Sequence, residues 1–179
     1  TKTAEKLLQF LIRNKHWSPL EMVDATFEIK TTRDIAHQIV RHRSFVFQEF
    51  SQRYAQASEF LKFEARLQDD KNRQNSLPTT DRELQDWWSS VQTDVIRFAD
   101  TVYRVALEKG IAKEVARKVL PEGLTVTRLY MKGSLRSWIH YCELRSGNGT
   151  QKEHMEIAQE IAKIIHTLFP VHDLTAEGS

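Results

Sequence analysis

Between Asp81 and Gly110 the apolar residues Leu84, Trp88, Val91, Val95, Phe98, Val102 and Val105 recur at alternating steps of four and three. That period belongs to one face of an α-helix. It predicts a single long helix from about Asp81 to Lys109, stopped at Gly110. Burial alone explains such a stripe, either in the chain's own core or against another subunit.

Shorter elements surround this helix. Leu7, Leu8, Leu11 and Ile12 predict a first helix that ends before Trp17-Ser18-Pro19. Val23, Ala25, Phe27 and Ile29 alternate with Asp24, Thr26, Glu28 and Lys30, as in a strand with one buried face. Thr32 and Asp34 then offer cap-type side chains to a helix leading to Arg41. Residues 67–81 have no apolar period and read as an exposed, mobile loop. A second strand is expected over Leu124–Met131, followed by a helix carrying Leu135, Trp138, Ile139 and Cys142. After the turn Ser146–Thr150, a last helix is expected to face Ile157, Ile161, Ile164 and Leu168 inward. Helices and strands are interspersed without strict βαβ alternation. The fold class is therefore α+β, one domain over 1–179, with a mixed, largely antiparallel sheet flanked by long helices.

Composition removes several function classes. At 179 residues, 40% hydrophobic and 28% charged, the chain can bury a real core. Its 26 basic and 24 acidic side chains leave a formal charge of +2, so no polycationic field drives binding to extended nucleic acid. The lone Cys142 excludes an intramolecular disulfide, fits a reducing and cytoplasmic location, and reads as a small buried hydrophobe. No apolar run approaches the roughly 20 residues needed to span a bilayer, and Thr1–Lys6 do not resemble a secretory signal. Seven histidines (His16, His37, His42, His140, His154, His166 and His172) include no helical His-x-x-x-His pair with an attendant acid, so no metal site is expected. There is no Gly-x-Gly-x-x-Gly and no Walker loop.

Chemistry concentrates in residues 41–54. Arg41, His42 and Arg43 close an amphipathic segment, and Phe47, Glu49, Ser51 and Arg53 then alternate along one side of an extended chain. Alone, the three cations read more simply as a solvated helix end interacting with the macrodipole. The mixed-charge surface beyond them favours a phosphorylated, planar ligand, because guanidinium forks bind phosphate bidentately and a carboxylate accepts from a pyrimidine N–H or a ribose hydroxyl. Ser51 has no visible histidine and acid to activate it and reads as a phosphate ligand rather than a nucleophile.

Arg41-His42-Arg43, seven further residues and Ser51 form a signature that resembles the flavin-dependent thymidylate synthases. The resemblance continues through His16-Trp17-Ser18-Pro19-Leu20-Glu21, Gln38, Glu114-Val115-Ala116-Arg117, Leu120-Pro121 and Leu144-Arg145, covering about Ala4 to Phe169. It implies that family's fold and the reductive methylation of dUMP to dTMP. FAD would be the cofactor, NADPH the reductant and methylenetetrahydrofolate the carbon donor, with no attack by an enzyme cysteine. Arg41, His42, Arg43 and Glu49 would line the FAD site, with Ser18 reaching in from a neighbouring subunit of a homotetramer. Ser134, Arg136 and His140 fall at further FAD positions, although Ser134 and His140 differ from the residues common there. Gln38, Arg41, Glu49, Ser51, Gln52, Arg53, Arg117 and Arg145 would contact dUMP, and Arg145 would be the activating residue. The family usually begins with a further strand that does not precede the helix near Ala4. Either an N-terminal stretch is omitted here or some folate or FAD contacts are lost.

Two other readings compete. One is a non-catalytic nucleotide- or nucleic-acid-binding module in which Arg41, Arg43, Arg53, Arg117 and Arg145 grip phosphates. The other is a repurposed relative that binds FAD and dUMP but transfers something other than methyl.

Overall fold

The computed structural model describes residues 2–51, 59–147, 149–169 and 171. Its elements in chain order are α1 (Lys2–Arg13), a 3₁₀ turn (Ser18–Met22), β1 (Asp24–Thr32), α2 (Arg33–Ile39), β2 (Val46–Glu49), β3 (Arg66–Gln68) and β4 (Ser76–Pro78). There follow α3 (Arg82–Glu108), α4 (Lys113–Ala116), a second 3₁₀ turn (Arg117–Val119), β5 (Val126–Ser134), α5 (Leu135–Arg145) and α6 (Lys152–Leu168). This is the expected α+β arrangement. The strands β1, β5 and β2 form a sheet in that order, and β3 pairs with β4. Opposite ends of β1 and β5 meet: the Leu135 N–H donates to Val23 O at 2.7 Å, and the Arg33 N–H donates to Thr125 O at 3.1 Å. The pair is thus antiparallel.

By contacts the chain divides into two compact units, one of residues 1–27, 40–47 and 130–179, the other of residues 28–39 and 48–129. The core of the first is aromatic. Trp138 on α5 is fully buried and packs edge-on against Phe27 and Phe45, with centroids 4.7 and 4.6 Å away, and against Tyr141 at 5.7 Å. Its indole N–H donates to Ala25 O at 3.1 Å, which satisfies the one polar atom of the ring. Phe45 lies so close over Gly133 that a Cβ there would overlap its ring. Gly133→Ala is therefore expected to cost about 1–3 kcal/mol by overpacking, read as a lowered urea midpoint with an unchanged slope.

In α6 the buried residues are His154, Ala158, Ile161, Ala162 and Ile165, whereas Ile164 and Leu168 are exposed. The expected inward stripe is thus rotated. Small Ala158 and Ala162 permit a close approach to α5, the helix with which α6 makes most of its contacts, and the bulkier Ile164 and Leu168 point away.

In the second unit α3 has nearly the predicted bounds. Asp81 caps it by accepting the Leu84 N–H at 3.1 Å, and Gly110 follows it with a φ of 82°. Its buried residues are Gln92, Ala99 and Tyr103, while Val95, Phe98 and Val105 of the apolar stripe are exposed, Phe98 by 73%. Gln92 is buried because its side-chain amide replaces a strand partner. It accepts the Phe63 N–H and donates to Phe63 O, both at 2.8 Å, as Gln85 does for Ala65 at 2.8 and 2.9 Å.

The expected loop over 67–81 is instead part of a hairpin. β3 and β4 pair antiparallel with Leu67 opposite Leu77. Asp69 closes the turn, its Oδ1 accepting the Lys71 and Asn72 N–H groups at 2.8 and 3.2 Å and its Oδ2 the Asn75 side-chain amide at 3.0 Å. These bonds hold its carboxyl below the usual carboxylate range.

Candidate active site

The Arg-His-Arg run occupies the turn between α2 and β2, the helix-to-strand junction that its sequence implied. The helix stops at Ile39, Phe45 inserts into the aromatic core, and the side chains between them are presented at the surface: Arg41 and Arg43 are exposed, His42 half-buried. Among the described residues neither Arg41 nor Arg43 has an acidic partner. Two unneutralised guanidinium groups two residues apart form an anion-binding donor set.

His42 and Arg145, 103 residues apart, are brought together. The Arg145 Nε–H donates to His42 Nε2 at 3.0 Å, while its two terminal nitrogens make no hydrogen bond within the described residues. Behind them lies a buried polar pair that the sequence did not single out. Tyr141 on α5 and His154 on α6 meet at 3.0 Å between hydroxyl and Nε2. The His42 ring stands edge-on to Tyr141, 5.0 Å between centroids, and 6.1 Å from His154. Desolvation, then the nearby Arg145 charge, holds the His42 pKa down. Burial, Arg145 and His42 together lower that of His154 to about 4. Burial pushes the Tyr141 hydroxyl up and takes Cys142, which is buried as expected, to about 12.

The His154 shift carries a sign. The unfolded chain takes up this proton below about pH 6.5, whereas the folded chain does so only near 4. The His154 contribution to folding stability should therefore fall as pH drops through that interval, by on the order of 3 kcal/mol in all, and level off below it. Urea titrations of wild type and His154→Gln at several pH values measure it; the wild-type fall should exceed the variant's across pH 6.5–4.

Elsewhere in this unit Glu21 gathers two predicted cofactor residues. It accepts from Ser134 Oγ at 2.7 Å and from Arg136 Nη1 at 2.8 Å, and those bonds keep its carboxyl low. Ser134 also caps α5 through the Ser137 N–H. His140 stacks obliquely on Trp17, 4.6 Å between centroids, and Ser18 opens the first 3₁₀ turn.

The second unit holds Gln38 on α2, Glu49 on β2, Ser51 just past it and Arg117 at the end of α4. Phe47, Glu49 and Ser51 are the less exposed members of their alternating run, as predicted. Glu49 Oε1 accepts from Thr127 Oγ1 at 2.8 Å and from Arg33 Nη1 at 3.4 Å. Gln52 and Arg53 lie outside the described residues. Among the described residues no cluster of His, Cys, Asp and Glu suits a metal ion, and no helix is long and apolar enough to cross a membrane.

Thr127, Arg33, Tyr141 and His154 were missed as parts of these clusters. Only His154 left a sequence signal, lying on the 154-158-161-165 face of α6.

The arrangement defines an α+β protein with exposed guanidinium groups at the turn between α2 and β2. Residues 1–171 match the family model described as thymidylate synthase complementing protein, and the chain belongs to that family. It is 58% identical over 165 residues, 92% of this chain and 76% of the other, to the flavin-dependent thymidylate synthase of Synechocystis sp.. It is 52% identical over 170 residues, 94% of this chain and 78% of the other, to a probable flavin-dependent thymidylate synthase of Paramecium bursaria Chlorella virus 1. A crystal structure of a UMP/dUMP methylase, PolB from Streptomyces cacaoi bound with 5-Br dUMP, is similar in fold, with a TM-score of 0.80 and 26% identity over 96% of this chain and 77% of that one.

Proposed function

We infer that this chain is a flavin-dependent thymidylate synthase, converting dUMP to dTMP. The observation that carries the reading is the 58% identity over 92% of the chain to an enzyme of that name. The non-catalytic module is not favoured, because relatives 58% and 52% identical over more than nine-tenths of the chain are named as flavin-dependent thymidylate synthases, one of them as probable.

The exposed, unneutralised Arg41 and Arg43 fit the diphosphate of FAD, and the half-buried imidazole of His42 fits contact with its ring system. When bound, the flavin supplies the hydride that completes the methyl group. Ser18, Glu49, Ser134, Arg136 and His140 are proposed as its further contacts. Gln38, Arg41, Glu49, Ser51, Gln52, Arg53, Arg117 and Arg145 are proposed to hold dUMP. Glu49, fixed by Thr127 and Arg33, is suited to accept from a ribose hydroxyl or ring N–H. The terminal nitrogens of Arg145 stabilise the negative charge that develops on the uracil as N3 ionises. That charge raises electron density at C5 for the incoming carbon.

NADPH as reductant and methylenetetrahydrofolate as carbon donor belong to the same proposal, as does a homotetramer. The exposure of Val95, Phe98 and Val105 on α3 supports an assembly, since exposed apolar residues along one helix suit a subunit contact. Light scattering on dilute protein tests the tetramer, and a monomer would refute it. The activity is tested by tritium release from dUMP labelled at C5, with FAD, NADPH and methylenetetrahydrofolate omitted in turn. Release that requires each component is expected. No release from protein that binds both FAD and dUMP would overturn the reading.

A further inference from the structure

We propose that His42 is a positioning residue for Arg145, with its imidazole acting as the hydrogen-bond acceptor that aims the guanidinium, and with the Tyr141–His154 pair as the buried stop behind the ring. This rests on the reading of Arg145 as the dUMP-activating residue.

An arginine side chain has four rotatable bonds before its planar fork, so its direction must be set by what it touches. Within the described residues the hydrogen bond that sets it is the one from Arg145 Nε to His42 Nε2, at 3.0 Å. Occupying Nε leaves the paired terminal nitrogens as the presented edge, the geometry that suits a planar anion. The bond requires His42 to be neutral with its proton on Nδ1, because a protonated imidazole has no acceptor.

The ring in turn has little freedom. Phe45 meets it edge-on at 6.4 Å between centroids, Tyr141 at 5.0 Å and His154 at 6.1 Å. Tyr141 is held by His154, and both are almost fully buried on the facing helices α5 and α6. Among the described residues, the titratable or charged groups around His42 are its chain neighbours Arg41 and Arg43, Arg145 and Tyr141 from α5, and His154 from α6. None of them supplies a negative charge that would favour protonation, and burial together with Arg145 disfavours it. The environment keeps the acceptor lone pair available to lower pH than a free histidine would.

The test is a double-mutant cycle of His42→Phe with Arg145→Lys, reading tritium release per bound flavin and dUMP affinity. Phenylalanine keeps a ring against Phe45 and Tyr141 but cannot accept, and lysine keeps the charge but has no Nε–H donor in that place. His42→Phe alone should lower turnover per flavin about 10- to 100-fold, the scale expected for a misaimed catalytic group. The same change in the Arg145→Lys background should cost much less, leaving only the part that His42's own flavin contact contributes. His42→Gln, whose carbonyl can accept, should recover much of the loss and abolish the acidic limb that His42 protonation gives the wild-type kcat/KM profile. Equal losses in both backgrounds, or a His42→Phe enzyme with wild-type turnover per flavin, would overturn the positioning role. Full activity of Arg145→Lys and Arg145→Ala would instead remove the activating role of Arg145.

Discussion

Replacing Arg145 with alanine is expected to lower the turnover of dUMP by about 10²–10³-fold, the usual scale for losing one preorganised donor at a developing anion. Flavin content should stay near wild type, because the candidate diphosphate ligands Arg41 and Arg43 are untouched. The size of the effect follows from geometry. Arg145 is part-buried, its Nε is engaged by His42, and its two terminal nitrogens are uncommitted within the described residues. A cation fixed in this way pays no reorganisation when charge appears in front of it. Water admitted by alanine would solvate the uracil anion but would have to reorient as the charge forms. Tritium release from C5-labelled dUMP, with dUMP affinity measured separately, reads the effect. Unchanged turnover with normal affinity would refute the assignment.

Trp138→Ala should have the largest effect on stability, about 3–5 kcal/mol. The indole is fully buried, touches Phe27, Phe45 and Tyr141, and donates to Ala25 O. Truncation opens a large cavity and also leaves the part-buried Ala25 carbonyl without its donor, a second cost. Phe45 is the residue that anchors the Arg-His-Arg turn to the core. Loss of Trp138 should therefore loosen the turn as well as the unit. Denaturant unfolding gives the stability change. Faster protease cleavage within residues 40–45 relative to distant sites would report the local component.

Much of the candidate site was legible because its signals are local. The cations of the Arg41–Arg43 turn adjoin in sequence, and the alternation of Phe47, Glu49 and Ser51 follows from the two-residue period of an extended chain. The long helix was legible for the same reason: a cap at Asp81, a period of three and four, and a left-handed glycine after it. The hairpin of β3 and β4 was not, since its turn depends on Asp69 bonding the backbone of Lys71 and Asn72, and an Asp/Asn-rich stretch looks the same whether or not those bonds form.

By itself the sequence determined where the longer helices and the strands β1 and β5 run, which family the chain resembles, and which cations are gathered at one turn. These depend on neighbours along the chain. Tertiary structure alone decided which face of each helix is buried and which distant groups meet. It turned α6 to bury Ala158 and Ile165 rather than Ile164 and Leu168, and it buried Gln92 on α3 because Phe63 offered a backbone N–H and carbonyl to satisfy it. It also joined His42 to Arg145 and set Tyr141 against His154. A helical period says that a face will be covered, but the partner that covers it sets the burial, and no spacing in the chain encodes a hydrogen bond between residues 103 positions apart.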